Sequence, residues 1–380
     1  MSGNILVTGA DGTIGWPVCM RLALKYPDKE IIGIDTEDRR RWVNECGSVS
    51  AIPVPPMKYR LSVFSDTFEQ NNILYITDNI RSDDFIRYIL KRYTISTIVH
   101  LAAQPSAPFS MKYPKFTLSN NNNGTLSLIM AIKEVNPEIK LIETTTMGIY
   151  GTPEWDIYED EIGTPHYRLS IPSQLPPFTG GSWYHRSKSY DASMLQFASG
   201  KYGIQAIDLR LGIVAGAMTE EIKRDKRLAT RFDFDFYFGV LYNRFCAQAV
   251  VGYPLTVYGK GGQTRGYISL EDTVREIVSA VELDTDQLKD YLPINIFTKC
   301  YSVKEVAEYV SGFAGVDIQF IDNPRMEKEE HYYNPANYRM ENLLEKPRDS
   351  MKKTVRETLG VLQEYKTRIS DHKDAFMVVE

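Results

Sequence analysis

The chain has 380 residues, 43% hydrophobic and 24% charged, the balance of an ordinary globular protein. Its formal net charge of −5 gives no basic field to recruit nucleic acid, and no apolar run approaches the roughly 20 residues needed to span a bilayer. Four scattered cysteines without CxxC spacing argue against a disulfide framework or a metal site, and with no leader-like start a cytoplasmic location is expected.

In chain order, residues 5–8, 30–34, 73–76, 97–101 and 140–145 are short β-branched runs that read as buried strands. Helical periodicity separates them at 17–26, 83–93 and 123–135, a long helix begins near Tyr184, and 204–211 supplies a further strand. Strands alternating with helices predict an α/β fold, a doubly wound parallel sheet of the Rossmann type. The pattern divides the chain into a dinucleotide-binding core over 1–210 and a smaller mixed substrate-binding cap over 211–380, with a return of part of that stretch to the core sheet left open. The Pro-, Gly- and Thr-rich stretch 153–181 reads as an active-site loop.

The segment Thr8-Gly9-Ala10-Asp11-Gly12-Thr13-Ile14-Gly15 follows the first strand and opens the first helix. Glycines in that place let the backbone approach a pyrophosphate, whose charge then faces the helix N-terminus. Asp35 closes the second strand, where a carboxylate accepts hydrogen bonds from the adenosine ribose and repels a 2′-phosphate. NAD is therefore the expected cofactor, although the Arg39-Arg40-Arg41 run keeps NADP open; Arg39 is expected to flank the adenine. Asp78 and Asn79 after the third strand, Leu101, Ala102 and Ala103 after the fourth, and Asn120 are expected along the adenine and the nicotinamide ribose.

Tyr184 and Lys188 stand in a Tyr-x-x-x-Lys pattern, which puts both on one helical face. A phenol titrates near 10, so a tyrosine base working at neutral pH needs adjacent positive charge, here Lys188 and oxidised nicotinamide. Thr146, at the end of the fifth strand, completes a Thr–Tyr–Lys set able to remove a hydroxyl proton while hydride leaves the same carbon.

Several segments together resemble one family, the UDP-sulfoquinovose synthases. They are Thr146-Met147-Gly148-x-Tyr150-Gly151-Thr152-Pro153; Trp183-Tyr184-His185-x-Ser187-Lys188; Asn243-Arg244-Phe245 with 254–267; and Asn323-Pro324-Arg325 with 327–334. The resemblance implies synthesis of UDP-sulfoquinovose from UDP-glucose and sulfite through 4-keto and 5,6-ene sugar intermediates, with NAD ending unchanged. It implies that Tyr184, Thr146 and Lys188 act at the 4-hydroxyl and that His185 helps with sulfite or the C6 proton. It places Gln104, Met147, Asn243, Arg244, Thr256, Val257, Tyr258, Gln263, Arg265 and Arg325 along the nucleotide sugar, and it implies a homodimer formed through the helices at 123–135 and 184–199. Related 4,6-dehydratases carry Asp-Glu where this chain has Met147-Gly148, neither of which can transfer a proton. Two departures from the plant-type pattern stand out: Pro105 in place of an arginine, with Arg210 as the candidate replacement, and Ile149 in place of a glutamate. A nucleotide-sugar 4-epimerase is the alternative activity, and a non-catalytic NAD-sensing scaffold the alternative of another class.

Overall fold

The computed structural model describes residues 3–152, 156–159, 180–284, 291–323 and 333–377. Its first half runs β1 (Asn4–Thr8), α1 (Gly15–Lys25), β2 (Ile31–Asp35), α2 (Asp38–Glu45), α3 (Met57–Phe68), β3 (Ile73–Thr77), α4 (Asp83–Arg92), β4 (Ile95–His100), α5 (Ala107–Lys112), α6 (Pro114–Val135) and β5 (Lys140–Thr146). A 3-10 turn, Met147–Tyr150, follows β5, and the core continues with α7 (Trp183–Tyr202) and β6 (Ala206–Leu211). The second half contains β7 (Ile213–Ala215), α8 (Glu220–Arg224), α9 (Leu241–Val250), β8 (Leu255–Tyr258), β9 (Thr264–Ser269), α10 (Leu270–Glu282), β10 (Tyr291–Ile296), β11 (Lys299–Ser302), α11 (Val303–Ala314) and β12 (Ile318–Ile321). Helices α12 (Tyr338–Leu343), α13 (Met351–Gln363) and α14 (Lys366–Ser370) complete it.

Seven strands form one parallel sheet in the order β10-β6-β5-β4-β1-β2-β3. The order reverses between β1 and β4, and in open α/β sheets ligands bind outside the carboxyl ends of the strands at such a reversal. Near-continuous burial of β1, β2, β4, β5 and β6 fits a sheet covered on both faces. On one face Trp16, Met20 and Leu22 pack with Ile277 and Val281; on the other Ile86, Leu128, Ile132 and Leu195 pack together.

β10 pairs in parallel with β6 from Tyr291↔Ala206 to Ile296↔Leu211, so the chain does return to the core sheet after leaving it. A second apolar cluster, including Phe232, Tyr242, Phe245, Val257 and Val355, holds the remaining elements together. There β9 pairs with β7 and β11, and β8 with β12. No helix among the described residues is long and apolar enough to cross a membrane.

Candidate active site

The glycine loop closes tightly on the segment after β4. Gly9 has φ +75°, and a Cβ there would lie 2.7 Å from the backbone nitrogen of Ala102, so any other residue would strain the turn and push Leu101–Ala103 away. Helix α1 starts at Gly15 with no side-chain cap, which leaves first-turn N–H groups for an anionic ligand. Thr230 donates to the carbonyls of Gly12 and Thr13 and fixes the outer side of the loop. Asp35 is aimed by two backbone donors: Asp11 N to Oδ2 at 2.9 Å and Glu37 N to Oδ1 at 2.7 Å. Asp78 N donates to the carbonyl of Asp35, which sets Asp78 and Asn79 beside it.

Arg39, expected to flank the adenine, directs its guanidinium elsewhere. Nε lies 3.0 Å from Asp233, and Cζ lies 4.0 Å from the centre of the Phe238 ring. Gln104, expected on the sugar, is wholly buried. Its amide donates to Ser106 O and Thr117 Oγ1 and accepts from Ser106 N, so it holds the loop after β4 and offers no free face to a ligand. Asn120 donates to Asn121 Oδ1.

Thr146 and Tyr184 are brought together as expected: the two hydroxyls are hydrogen-bonded. Thr146 Oγ1 also accepts from Gly148 N at 3.1 Å, so one hydroxyl both caps the 3-10 turn and holds the phenol. Ser182 caps α7 by accepting from His185 N, and Ser110 accepts from Tyr184 N, which fixes the start of the helix carrying the tyrosine. His185 lies against Gly148, where a Cβ would come 2.5 Å from the imidazole Nε2. Its ring centre is 5.3 Å from that of Tyr184.

The surroundings of Lys188 were not legible in the motif. Nζ lies 2.7 Å from Glu143 Oε1 and 3.3 Å from Asp191 Oδ2, and all three side chains are buried. Glu143 Oε2 lies 3.4 Å from His100 Nε2, and His100 Nδ1 lies 2.6 Å from Thr8 Oγ1. Burial holds the imidazole far below its ordinary range, so it is neutral here and Lys188 is the cation that both carboxylates face. Burial pushes the Glu143 carboxyl upward and Lys188 beside it pulls it down, and burial pushes the Tyr184 phenol upward too. Lys188 and Thr146 lower the phenol, whereas Asp191 and Glu143 raise it. The charge of Lys188 is thus shared between the Tyr184 phenol and two carboxylates.

Arg210 does not replace the missing arginine. It is buried beneath the site and bonded to Asp208, Tyr150 and Tyr291. Ile149 is wholly buried, and Met147 packs with Tyr150, Ile157, Phe297 and Tyr333.

Beyond the sheet, Arg244 on α9 donates to the Tyr258 hydroxyl at 2.8 Å and to the carbonyl of Thr256. Gln248 holds Thr256 through both its N–H and its hydroxyl, and Val257 is buried in the second cluster. Asn243 Oδ1, Arg244 Nε and Gln263 Oε1 are buried without a hydrogen-bond partner among the described residues. Buried polar atoms rarely stay unsatisfied, so this set fits a polar ligand. β9 passes over the 147–150 turn so closely that a Cβ on Gly266 would meet Met147 Sδ at 3.1 Å, and Arg265 Cζ lies 5.8 Å from the ring centre of Tyr333, which packs in one cluster with Met147. Arg325 lies outside the described residues, as does most of 153–181.

Residues 5–292 match the NAD dependent epimerase/dehydratase family. The chain is 39% identical to the UDP-sulfoquinovose synthase of Sulfolobus acidocaldarius over 98% of its own length and 96% of that protein. It is 37% identical to the chloroplastic UDP-sulfoquinovose synthase of Spinacia oleracea, over 96% of its own length and 77% of that protein. The chain belongs to the UDP-sulfoquinovose synthase family. In fold it is also similar to UDP-glucose 4-epimerase of Bifidobacterium longum, solved with NAD+ and UDP, with a TM-score of 0.71 at 19% identity over 97% of this chain and 99% of that one. As a member of the UDP-sulfoquinovose synthase family it is an NAD-dependent enzyme that modifies a nucleotide sugar. The tight turn at Gly9, the uncapped start of α1 and the doubly aimed Asp35 carboxylate fit that cofactor.

Proposed function

We propose that the enzyme converts UDP-glucose and sulfite to UDP-sulfoquinovose, with Tyr184 as the base, Thr146 and Lys188 as its partners, and His185 at the sulfite end. The observation that carries this reading is identity of 39% along almost the whole of both chains with a protein of that name. NAD, when bound, supplies the hydride acceptor and donor for C4 of the sugar. Gly9, Gly12, Gly15 and Asp35 would hold it at the pyrophosphate and adenosine ribose, and Leu101–Ala103 beside the nicotinamide ribose.

Tyr184 removes the proton of the 4-hydroxyl, with Thr146 holding its oxygen and Lys188 stabilising the phenolate. A ketone at C4 makes the C5 proton acidic, so the C6 hydroxyl can leave as water. Sulfite adds to the resulting 5,6-alkene at C6 while C5 regains the proton it lost, and Tyr184 returns its proton to the C4 oxygen. Met147 and Gly148 supply no proton for water loss. Of the side chains gathered here, His185, packed on Gly148 and next to Tyr184, has the chemistry to move one at C5 or C6. Arg244, Arg265 and Arg325 are assigned to the UDP moiety, with Asn243, Tyr258 and Gln263 beside them.

A homodimer belongs to the same proposal. Leu126 on α6 and Tyr190 and Phe197 on α7 are 45%, 50% and 62% exposed, an apolar surface on the two helices expected to pair. The four free cysteines suit a reducing compartment, which supports a cytoplasmic location.

The test is product analysis by mass spectrometry after incubation with UDP-glucose, with and without sulfite. A sulfite-dependent sugar nucleotide with a carbon–sulfur bond is expected, absent with Tyr184→Phe, which should still bind NAD. UDP-galactose formed independently of sulfite would replace this reading with a 4-epimerase, and no turnover by any preparation would favour the scaffold.

A further inference from the structure

The three consecutive arginines 39–41 are the one sequence feature that argues for a phosphorylated cofactor, and the structure separates their fates. Arg39 pairs with Asp233, and Arg41, largely exposed, pairs with Asp38 at 2.8 Å. Arg40 turns back onto the glycine loop, where Nε and Nη2 each lie 2.7 Å from an oxygen of the Asp11 carboxylate. This is the bidentate fork that makes arginine–carboxylate pairs strong and specific.

A second arginine meets the same carboxylate. Arg60, on α3, is wholly buried; its Nη2 donates to Asp11 Oδ1, and its Cζ lies 5.0 Å from the Trp16 ring centre. Its Nε and Nη1 have no hydrogen-bond partner among the described residues. A buried guanidinium so poorly bonded depends on its one counterion. Asp11, itself 2% exposed, therefore carries two arginines on one carboxylate.

Its position gives this arrangement a meaning for the cofactor. The backbone N–H of Asp11 donates to Asp35 Oδ2, the carboxylate assigned to the adenosine ribose hydroxyls. The carboxylate that holds the two guanidiniums thus belongs to the residue whose backbone N–H aims Asp35, the group expected to face the 2′ position. A phosphate with about two negative charges would be drawn to them if they were unpaired.

We propose that Asp11 is a cofactor-specificity residue: by neutralising and holding Arg40 and Arg60 it denies them to a 2′-phosphate, so preference for NAD rests on Asp11 together with Asp35. The other partners of Arg40 are the carbonyls of Val54 and Pro55 and, at 4.0 Å, Glu37, so Asp11 is its bidentate anchor. The proposal rests on NAD as cofactor and is independent of the sulfite chemistry.

The test counts bound dinucleotides rather than turnover. Purified protein is equilibrated with equal NAD+ and NADP+, desalted rapidly and acid-released, and each dinucleotide is quantified by mass spectrometry. With Asp11→Asn the ratio of NADP to NAD should rise about tenfold or more over wild type. Asp11→Asn with Arg60→Met removes the buried cation along with its counterion, which keeps a folded variant in hand, and should retain part of the rise through Arg40. Adding Arg40→Met should return the ratio to the wild-type value, a reversal that mere damage to the loop would not produce. A folded Asp11 variant with the wild-type ratio, or a rise that survives loss of both arginines, would overturn the proposal. Wild type retaining neither dinucleotide would count instead against the assignment of NAD.

Discussion

At the scale of single residues, the base works against its own surroundings. Burial and the carboxylates Glu143 and Asp191 raise the Tyr184 phenol, and Lys188 and Thr146 lower it. Activity that needs the phenolate rises with pH through the phenol's titration, so removing one negative charge near Lys188 moves that limb down the scale. Glu143→Gln should therefore shift the acidic limb of the kcat profile to lower pH by about 0.5–1. Asp191 would still hold Lys188 in place. An unmoved limb in a folded variant would remove Glu143 from this role. Gly148 is a second test at this scale. A methyl there would meet the His185 imidazole at 2.5 Å, and its three nearest atoms all belong to that ring. Gly148→Ala should lower kcat about tenfold or more with NAD binding and the melting temperature nearly unchanged. Unaltered kcat would show that the place of His185 does not matter.

At the scale of elements, β1–β6 were legible within one or two residues because parallel strands covered on both faces are short apolar, β-branched runs, whereas β10 of the same sheet, interrupted by Pro293, and the short strands of the second half were not. Among the helices of the first half, α2, α3 and α5 were not. α2 is dominated by charged residues, with only Trp42 and Val43 buried, so its period is masked; α3 buries Met57, Arg60, Val63 and Phe64, and a buried arginine breaks the apolar pattern. Missing α3 meant missing Arg60. α6 begins at Pro114 rather than near 123 because asparagines compete with the helix backbone and read as turn formers. Here Asn121 and Asn122 bond instead to Ser187 and Asp191 on α7, which makes them a bracket for the catalytic helix. Thr146, Tyr184 and Lys188 were readable from local spacing. Glu143 and His100 were not, since only pairing of β4 with β5 and packing of α7 bring them to Lys188. α10 carries a stability prediction. Glu276 is wholly buried, neither carboxyl oxygen has a hydrogen-bond partner among the described residues, and burial pushes it up to about 8, with Asp272 and Glu345 adding to the rise and Arg275 opposing it. A carboxyl raised in the folded state binds its proton more tightly there, so its cost grows as pH climbs from its unfolded value near 4.3 to about 8 and is level above. Glu276→Gln should melt like wild type near pH 4 and at higher temperature at pH 8, with a gain of at most about 5 kcal/mol. An equal difference at both pH values would contradict the cause given.

At the scale of the whole molecule, the cofactor end, the Thr–Tyr–Lys set and the unsatisfied polar atoms of α9 and the turn before β9 belong to one sheet and the elements that follow it. The return of β10 to the sheet ties the second half of the chain to the first. The exposed apolar residues of α6 and α7 put the dimer proposal on the helix that carries Tyr184. Phe197→Glu combined with Leu126→Lys should convert a dimer to a monomer in light scattering after size-exclusion chromatography; an unchanged mass would place any interface elsewhere. The central claim is that hydride leaves C4 and returns to it around the formation of a carbon–sulfur bond at C6. UDP-glucose carrying deuterium at C4, incubated with sulfite and the enzyme, tests it in one mass spectrum. The account predicts a sulfonated sugar nucleotide that retains the deuterium at C4. A sulfonated product without the label, or labelled UDP-galactose with no sulfur, would contradict it.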